Sequence, residues 1–114
     1  MSRANASATN LGEFEQLVLL ALVRLRENAY GVTIRREIEG RAGREVSIAA
    51  VYTTLDRLEK KGLLSSRIGE PTAQRGGRRK RYFKLEAEGA EALAASYRSY
   101  KGMVAGMERL LEKL

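Results

Sequence analysis

Seven cationic side chains stand between residues 67 and 84, namely Arg67, Arg75, Arg78, Arg79, Lys80, Arg81 and Lys84, against one acid, Glu70. Six of the chain's seven net positive charges therefore fall in one short stretch. Guanidinium groups pair with phosphate oxygens through charge-assisted, often two-pronged hydrogen bonds. The Gly76-Gly77 pair beside them leaves room for a backbone to approach a phosphate closely. Focused positive charge and a sequence pI of about 10.1 point to a polyanionic partner, either nucleic acid or a membrane surface.

Two elements must position these groups. Leu63–Ile68 and Arg79–Leu85 alternate like strands across a Gly/Pro-containing loop, Gly69–Arg78, so the cations decorate a hairpin. Phe83 and Leu85 can turn inward while Lys84 stays outward, which lets one strand pack and present charge at once. Before the hairpin, residues 47–61 read as an amphipathic helix. Ser47 is its N-cap, Val46 and Val51 make a hydrophobic staple, Ile48, Val51, Leu55 and Leu58 form its apolar face, and Gly62 ends it. Ala50, Thr53, Thr54 and Arg57 point elsewhere, offering short polar and methyl groups that let a helix come close to base edges. Any packed helix shows one apolar stripe. Here a second short helix precedes it at helix-turn-helix spacing. The candidate DNA-contacting residues are Ser47, Ala50, Tyr52, Thr53, Thr54 and Arg57 on the helix, with Arg75, Gly77, Arg78, Arg79, Lys80 and Arg81 on a wing spanning 69–81. Arg57, Thr53 and Thr54 are expected to reach bases, and Arg75, Arg78 and Arg79 phosphates.

Upstream, Asn10 and Glu13 have capping-box spacing, and Phe14, Leu17, Val18, Ala21, Leu22 and Leu25 recur at helical intervals to about Arg26. Glu27-Asn28-Ala29 breaks the pattern. Ile34 and Ile38 mark a second helix from about Tyr30, with Gly40 and Gly43 ending it. Met1–Asn10 is small and polar, without the apolar centre of a signal peptide, and reads as a disordered tail.

From Ala87 to Leu114 the pattern is helical. Leu93, Tyr97, Tyr100, Val104, Met107, Leu111 and Leu114 follow at intervals of 4-3-4-3-4-3, a heptad seam. Packing against the chain's own first helix would use part of such a seam; its length favours a second subunit. Gly102 and Gly106 lie off the seam and soften the helix. Tyr97, Tyr100, Met103 and Met107 are the candidate pocket for a small aromatic effector, because Met and Tyr suit adaptable apolar sites, though the same residues also suit plain dimer core.

Other chemistry finds little footing. The chain of 114 residues has no His and no Cys, so metal sites built on those ligands, thiol catalysis and disulfides are excluded. Neither a phosphate-binding Walker loop nor a dinucleotide fingerprint is present, and no cofactor is expected. The longest apolar run, Leu17–Val23, is far short of the roughly 20 residues a membrane span needs, so a cytoplasmic location is expected.

These residues resemble the PadR-type bacterial transcriptional regulators, in the short form with a single C-terminal helix. The resemblance runs from about Leu11 to Leu114. Its most specific parts are Tyr30-Gly31, Val51-Tyr52 through Leu55, Arg57-Leu58, Gly62-Leu63, Gly77-Arg78 through Tyr82-Phe83 and Leu85, and Glu88-Gly89. It implies a winged helix-turn-helix dimer that represses promoters, with the third helix in the major groove, the wing on the backbone, and the C-terminal helix, assisted by the first, making the dimer. The chain departs from the family with Ala49 and Ala50 where a glycine is usual, Thr53 where a proline often stands, and Glu86 where a threonine caps the last helix. It has no Trp, so a tryptophan clamp for aromatic compounds is not available to it.

The expected architecture is mainly α with a small β-hairpin: a tail over 1–10, a winged helix-turn-helix over 11–85 and a dimerisation helix over 86–114. The expected function is a homodimeric, sequence-specific repressor on a palindromic double-stranded operator. A basic RNA-binding winged helix and a protein-interaction adaptor are the alternatives.

Overall fold

The computed structural model describes residues 10–70 and 79–114. Residues 1–9 of the tail expected over 1–10, and the candidate wing residues Arg75, Gly77 and Arg78, lie outside them. The elements in order are α1 (Glu13–Leu25), a 3-10 turn (Arg26–Asn28), α2 (Gly31–Ala42), α3 (Ile48–Lys60), β1 (Leu64–Ile68), β2 (Arg81–Leu85), α4 (Ala87–Val104) and α5 (Glu108–Lys113). The fold is mainly helical with one antiparallel hairpin, as the sequence patterning predicts.

The apolar stripes of the first three helices find one another. Val18, Leu19 and Leu22 of α1 meet Ile34 and Ile38 of α2 and Val51, Leu55 and Leu58 of α3, and the hairpin closes the core with Leu64 and Phe83. In the hairpin, Leu64 pairs with Leu85 and Ser66 with Phe83, so Phe83 turns inward and Lys84 outward. A short third edge adds to it: the Phe83 N–H donates to the Ala29 carbonyl at 2.9 Å, and Tyr30 bridges Tyr82. This ties the start of α2 to the wing.

Ser47 caps α3 as expected, its Oγ accepting from the Ala50 N–H at 3.0 Å. Ser47→Ala should therefore cost about 1 kcal/mol, read as a lower urea midpoint with an unchanged slope. Gly89 marks the tightest junction. A methyl group there would overlap the Leu63 carbonyl and crowd Leu85, so only glycine lets α4 sit on the end of β1.

Several boundaries differ from the sequence reading. The N-cap of α1 is Gly12, not Asn10, because Glu15 Oε1 reaches back to accept the Gly12 N–H at 2.9 Å. The same N-cap-to-N3 spacing simply applies two residues later. Gly40 lies inside α2, and Gly43 alone ends it, in the left-handed conformation with φ 70°. The strands begin at Leu64 and Arg81 rather than Leu63 and Arg79.

The largest correction concerns the C-terminal helix. It is two helices, broken at Ala105–Met107, with Gly106 at φ +83°. A heptad seam assumes one unbroken helix, so Met107, Leu111 and Leu114 do not continue the stripe of Leu93, Tyr97, Tyr100 and Val104. Gly106 does not soften the helix; it ends it. Leu93 packs in part against the chain's own core. Among the described residues no helix is long and apolar enough to cross a membrane.

Candidate nucleic-acid interface

Successive residues of a helix advance by about 100°, so the buried positions of α3 fix what its far side displays. Val51, Thr54, Leu55 and Leu58 are buried. Opposite them lie Ala49, Thr53, Asp56 and Lys60, all exposed. Ala50 and Arg57 flank this face toward α1, and Tyr52 and Glu59 flank it toward the hairpin and α2. Short side chains at its N-terminal half leave the helix backbone open to close approach.

Thr54 is a correction. It is 3% exposed, within the α3 packing face, and cannot reach a base from there. It stands one position beyond Thr53, and that 100° turn carries it from the open face into the packed one. Tyr52 is partly exposed, but its phenol ring lies over Gly31, where any side chain would overlap it. It thus packs α3 onto the start of α2 as well as facing outward. Lys60 and Ala49, which sequence reasoning passed over, lie on the open face; the phase of Val51 and Leu55 was the signal that could have found them.

Ion pairs sort the cations. Arg81 is held by Glu59 at 2.7 Å, Asp56 at 3.4 Å and the Ser66 hydroxyl at 3.2 Å, and it stacks on Phe83. Its guanidinium therefore fastens the wing to α3 and is not a free phosphate contact, which corrects its placement among the wing's gripping residues. Arg79 is exposed. Lys80 sits over the Tyr30 ring at 4.9 Å, and Arg67 over Tyr82 at 4.8 Å, with the two tyrosines edge to face between them. These contacts aim flexible cations along the hairpin without neutralising them.

On the other flank, the first turn of α1 gathers three cations. Glu13 holds Arg44 from the α2–α3 turn at 3.2 Å. Glu15, itself buried, accepts from Arg57 Nε at 3.0 Å and from Lys61 Nζ at 3.2 Å. Arg57 is half exposed, so it remains at the edge of the open face. Burial raises the pKa of the Glu15 carboxyl, but hydrogen bonds from the Gly12 N–H, Arg57 and Lys61 outweigh it and hold the group below its ordinary value. The folded chain thus binds this proton less tightly than the unfolded chain. The stability it contributes is complete above the unfolded pKa and is lost as pH falls through the folded one. Urea midpoints between about pH 3 and 6 should fall on the acid side, and Glu15→Gln should flatten that fall.

At the C-terminal side, Tyr100 and Met103 line a concavity of about 380 Å³ with Leu11, Gln16, Ala92 and Ser96. Tyr97 and Met107, also expected in an effector pocket, are not part of it. Among the described residues no group of three or more acidic side chains is placed to hold a metal ion.

The pattern of a three-helix unit, a cationic wing and a trailing helix has relatives. Residues 19–95 match the family model described as the transcriptional regulator PadR-like family. The chain belongs to that family. Among solved structures, a PadR family transcriptional regulator from Eggerthella lenta is 28% identical, with 90% of this chain and 88% of that one covered and a TM-score of 0.63. RosR of H. salinarum, solved as a complex, is 27% identical over 93% and 88% of the two chains, with a TM-score of 0.66. A PadR family regulator from hypervirulent Clostridium difficile shares the fold at a TM-score of 0.73, with 24% identity over 88% of this chain and 99% of that one. No curated protein matches the chain. Membership in the PadR-like family makes this a transcriptional regulator of DNA-binding type.

Proposed function

We propose that the chain acts as a homodimeric repressor that reads a palindromic double-stranded operator. Helix α3 enters the major groove and the wing lies on the flanking backbone. The observation that carries this reading is the open face of α3, where Ala49, Ala50 and Thr53 leave the helix bare beside a hairpin whose Arg67 and Lys80 have no acidic partner among the described residues. Thr53 and Arg57 are assigned to bases, joined by Lys60, while Arg79 and Lys80 are assigned to phosphates. The wing residues Arg75, Gly77 and Arg78 keep the phosphate-gripping role their types suggest. Ser47 and Ala50 form the capped N-terminus of α3, whose N–H groups favour a phosphate.

The second subunit is assigned to the apolar side of α4 and α5. Tyr97, Tyr100, Met103 and Leu114 are between 59% and 89% exposed in the single chain, an unusual amount of large apolar surface for so small a domain. Selecting bound fragments from the host genome tests the reading directly. An inverted repeat with one half-site per protomer is expected. Enrichment of RNA alone, or of no nucleic acid, would overturn it in favour of an RNA-binding or adaptor role.

An effector role is a second reading, favoured by the concavity at Tyr100 and Met103. A flat aromatic dye bound there should raise the melting temperature, and Met103→Ala should remove that rise. Absence of any shift with phenolic and cationic dyes ends this reading.

A further inference from the structure

The reading of α3 as the DNA helix gives no task to Glu15, yet Glu15 is the one acid buried among the described residues. Its two oxygens do separate jobs. Oε1 closes the start of α1 through the Gly12 N–H, and Oε2 takes both Arg57 Nε and Lys61 Nζ. Both cations come from the C-terminal end of α3, and neither is buried, at 50% and 35% side-chain exposure. A pin meant only for stability gains little from exposed cations, since apolar packing serves as well and avoids a buried charge.

The geometry of Arg57 suggests another use. Among the described residues its one side-chain hydrogen bond is through Nε, so the terminal nitrogens of the fork remain available. An arginine held at Nε can still give those two nitrogens to O6 and N7 of a guanine. A pose that pulls the whole guanidinium toward a phosphate must leave Glu15 buried with a weaker counter-charge, which is costly. Lys61 is a point charge with no such division of labour, so moving it away from Glu15 incurs the same cost at once.

We propose that Glu15 is a specificity-determining residue of DNA recognition in this chain: it aims the Arg57 fork at a base edge and keeps Lys61 off the phosphate backbone. This rests on the reading of α3 as the recognition helix. Glu15 does not touch DNA. It acts by withholding the Arg57 fork from the phosphates of unrelated DNA, where no guanine stands within reach, while leaving the guanine contact on the operator intact.

The test measures affinity for the selected operator and for a scrambled duplex at several salt concentrations, using the full chain and its Glu15→Gln, Arg57→Ala, double and Lys61→Gln variants. The Glu15→Gln change removes the charge and keeps a single acceptor oxygen, enough for the Gly12 N–H, while its NH2 group faces Arg57 and Lys61 and accepts from neither. Glu15→Gln should bind the scrambled duplex about eight-fold more tightly at 0.1 M salt, with a salt slope steeper by about 0.9 for one new phosphate contact. Its operator-to-scrambled ratio should fall by a similar factor. The double variant should discriminate no worse than Arg57→Ala alone. Lys61→Gln, which leaves Glu15 and Arg57 paired, should leave the slope unchanged, whereas a lysine already on a phosphate would reduce it by about 0.9. A reduced slope there overturns the proposal even where Glu15→Gln fails to fold. If Arg57→Ala loses discrimination while Glu15→Gln keeps it, or if Glu15→Gln weakens both duplexes alike, Glu15 is only a fold pin. If Arg57→Ala leaves discrimination intact, the base-reading assignment of Arg57 fails and this proposal with it.

Discussion

Replacing Tyr97 and Tyr100 together by glutamate should convert a dimer of about twice 12.7 kDa into a monomer of that mass. Both rings project from α4 at 59% and 67% exposure, Tyr100 at the rim of the concavity it shares with Leu11 and Gln16. The single chain therefore loses little packing when they change, and its helical content and urea midpoint should stay close to the parent. In the assigned interface the two carboxylates would be desolvated without partners. Each such burial costs several kcal/mol in real proteins, so the dissociation constant should rise at least about a thousand-fold. Light scattering at micromolar concentration reads the result. A parent chain already monomeric under those conditions would overturn the dimer. Operator affinity should fall with the dimer, since one half-site per protomer then binds alone.

The heptad seam behind this expectation is interrupted, and the reason is local. Counting heptads from Leu93 to Leu114 treats every residue as helical, but no count of apolar spacing shows that Gly106 adopts φ +83°. The residues of α5 are all exposed, and Leu110, which the heptad omits, is as open as its neighbours on the seam. The apolar surface was legible in the composition of the segment; its division into two faces depended on one backbone angle.

Within the winged unit, short-range signals carried well. Ser47 at its cap, Gly43 at the end of α2, and Phe83 inward with Lys84 outward follow from chemistry within four residues of each position. Thr54 failed for the same local reason that Thr53 succeeded: the two are adjacent, identical in type, and separated only by helical phase. Here the apolar stripe proved wider than Val51, Leu55 and Leu58 suggested, and Thr54 lies within it. The ion pairs were out of reach altogether. Glu15 lies 42 residues before Arg57 and 46 before Lys61, and Arg81 lies 22 after Glu59. A run of like charges on the page cannot reveal which members have partners across the fold.

That sorting leads to the expected division of labour on DNA. Arg57→Ala should weaken the operator more than a scrambled duplex, by about 1–3 kcal/mol for the loss of a bidentate base contact. Arg79→Ala should weaken both duplexes about equally and lower the slope of log affinity against log salt by about 0.9, with no change in the urea midpoint, because Arg79 is exposed. Arg81, two residues on and equal in charge, should behave differently. Its guanidinium joins β2 to α3 through Glu59, Asp56 and Ser66 and stacks on Phe83. Removing it should cost about 1 kcal/mol of stability, since the pairs are partly exposed, and should free two acids beside the open face of α3. Both duplexes should then bind less tightly, through repulsion and a loosened wing, while the urea midpoint falls. Titrations of the three variants at several salt concentrations, read beside their urea midpoints, separate these outcomes. A flattened salt slope for Arg57→Ala, or a selective loss of the operator for Arg79→Ala, would reverse the assignment. An Arg81→Ala chain of unchanged stability would return that arginine to the phosphate-gripping group.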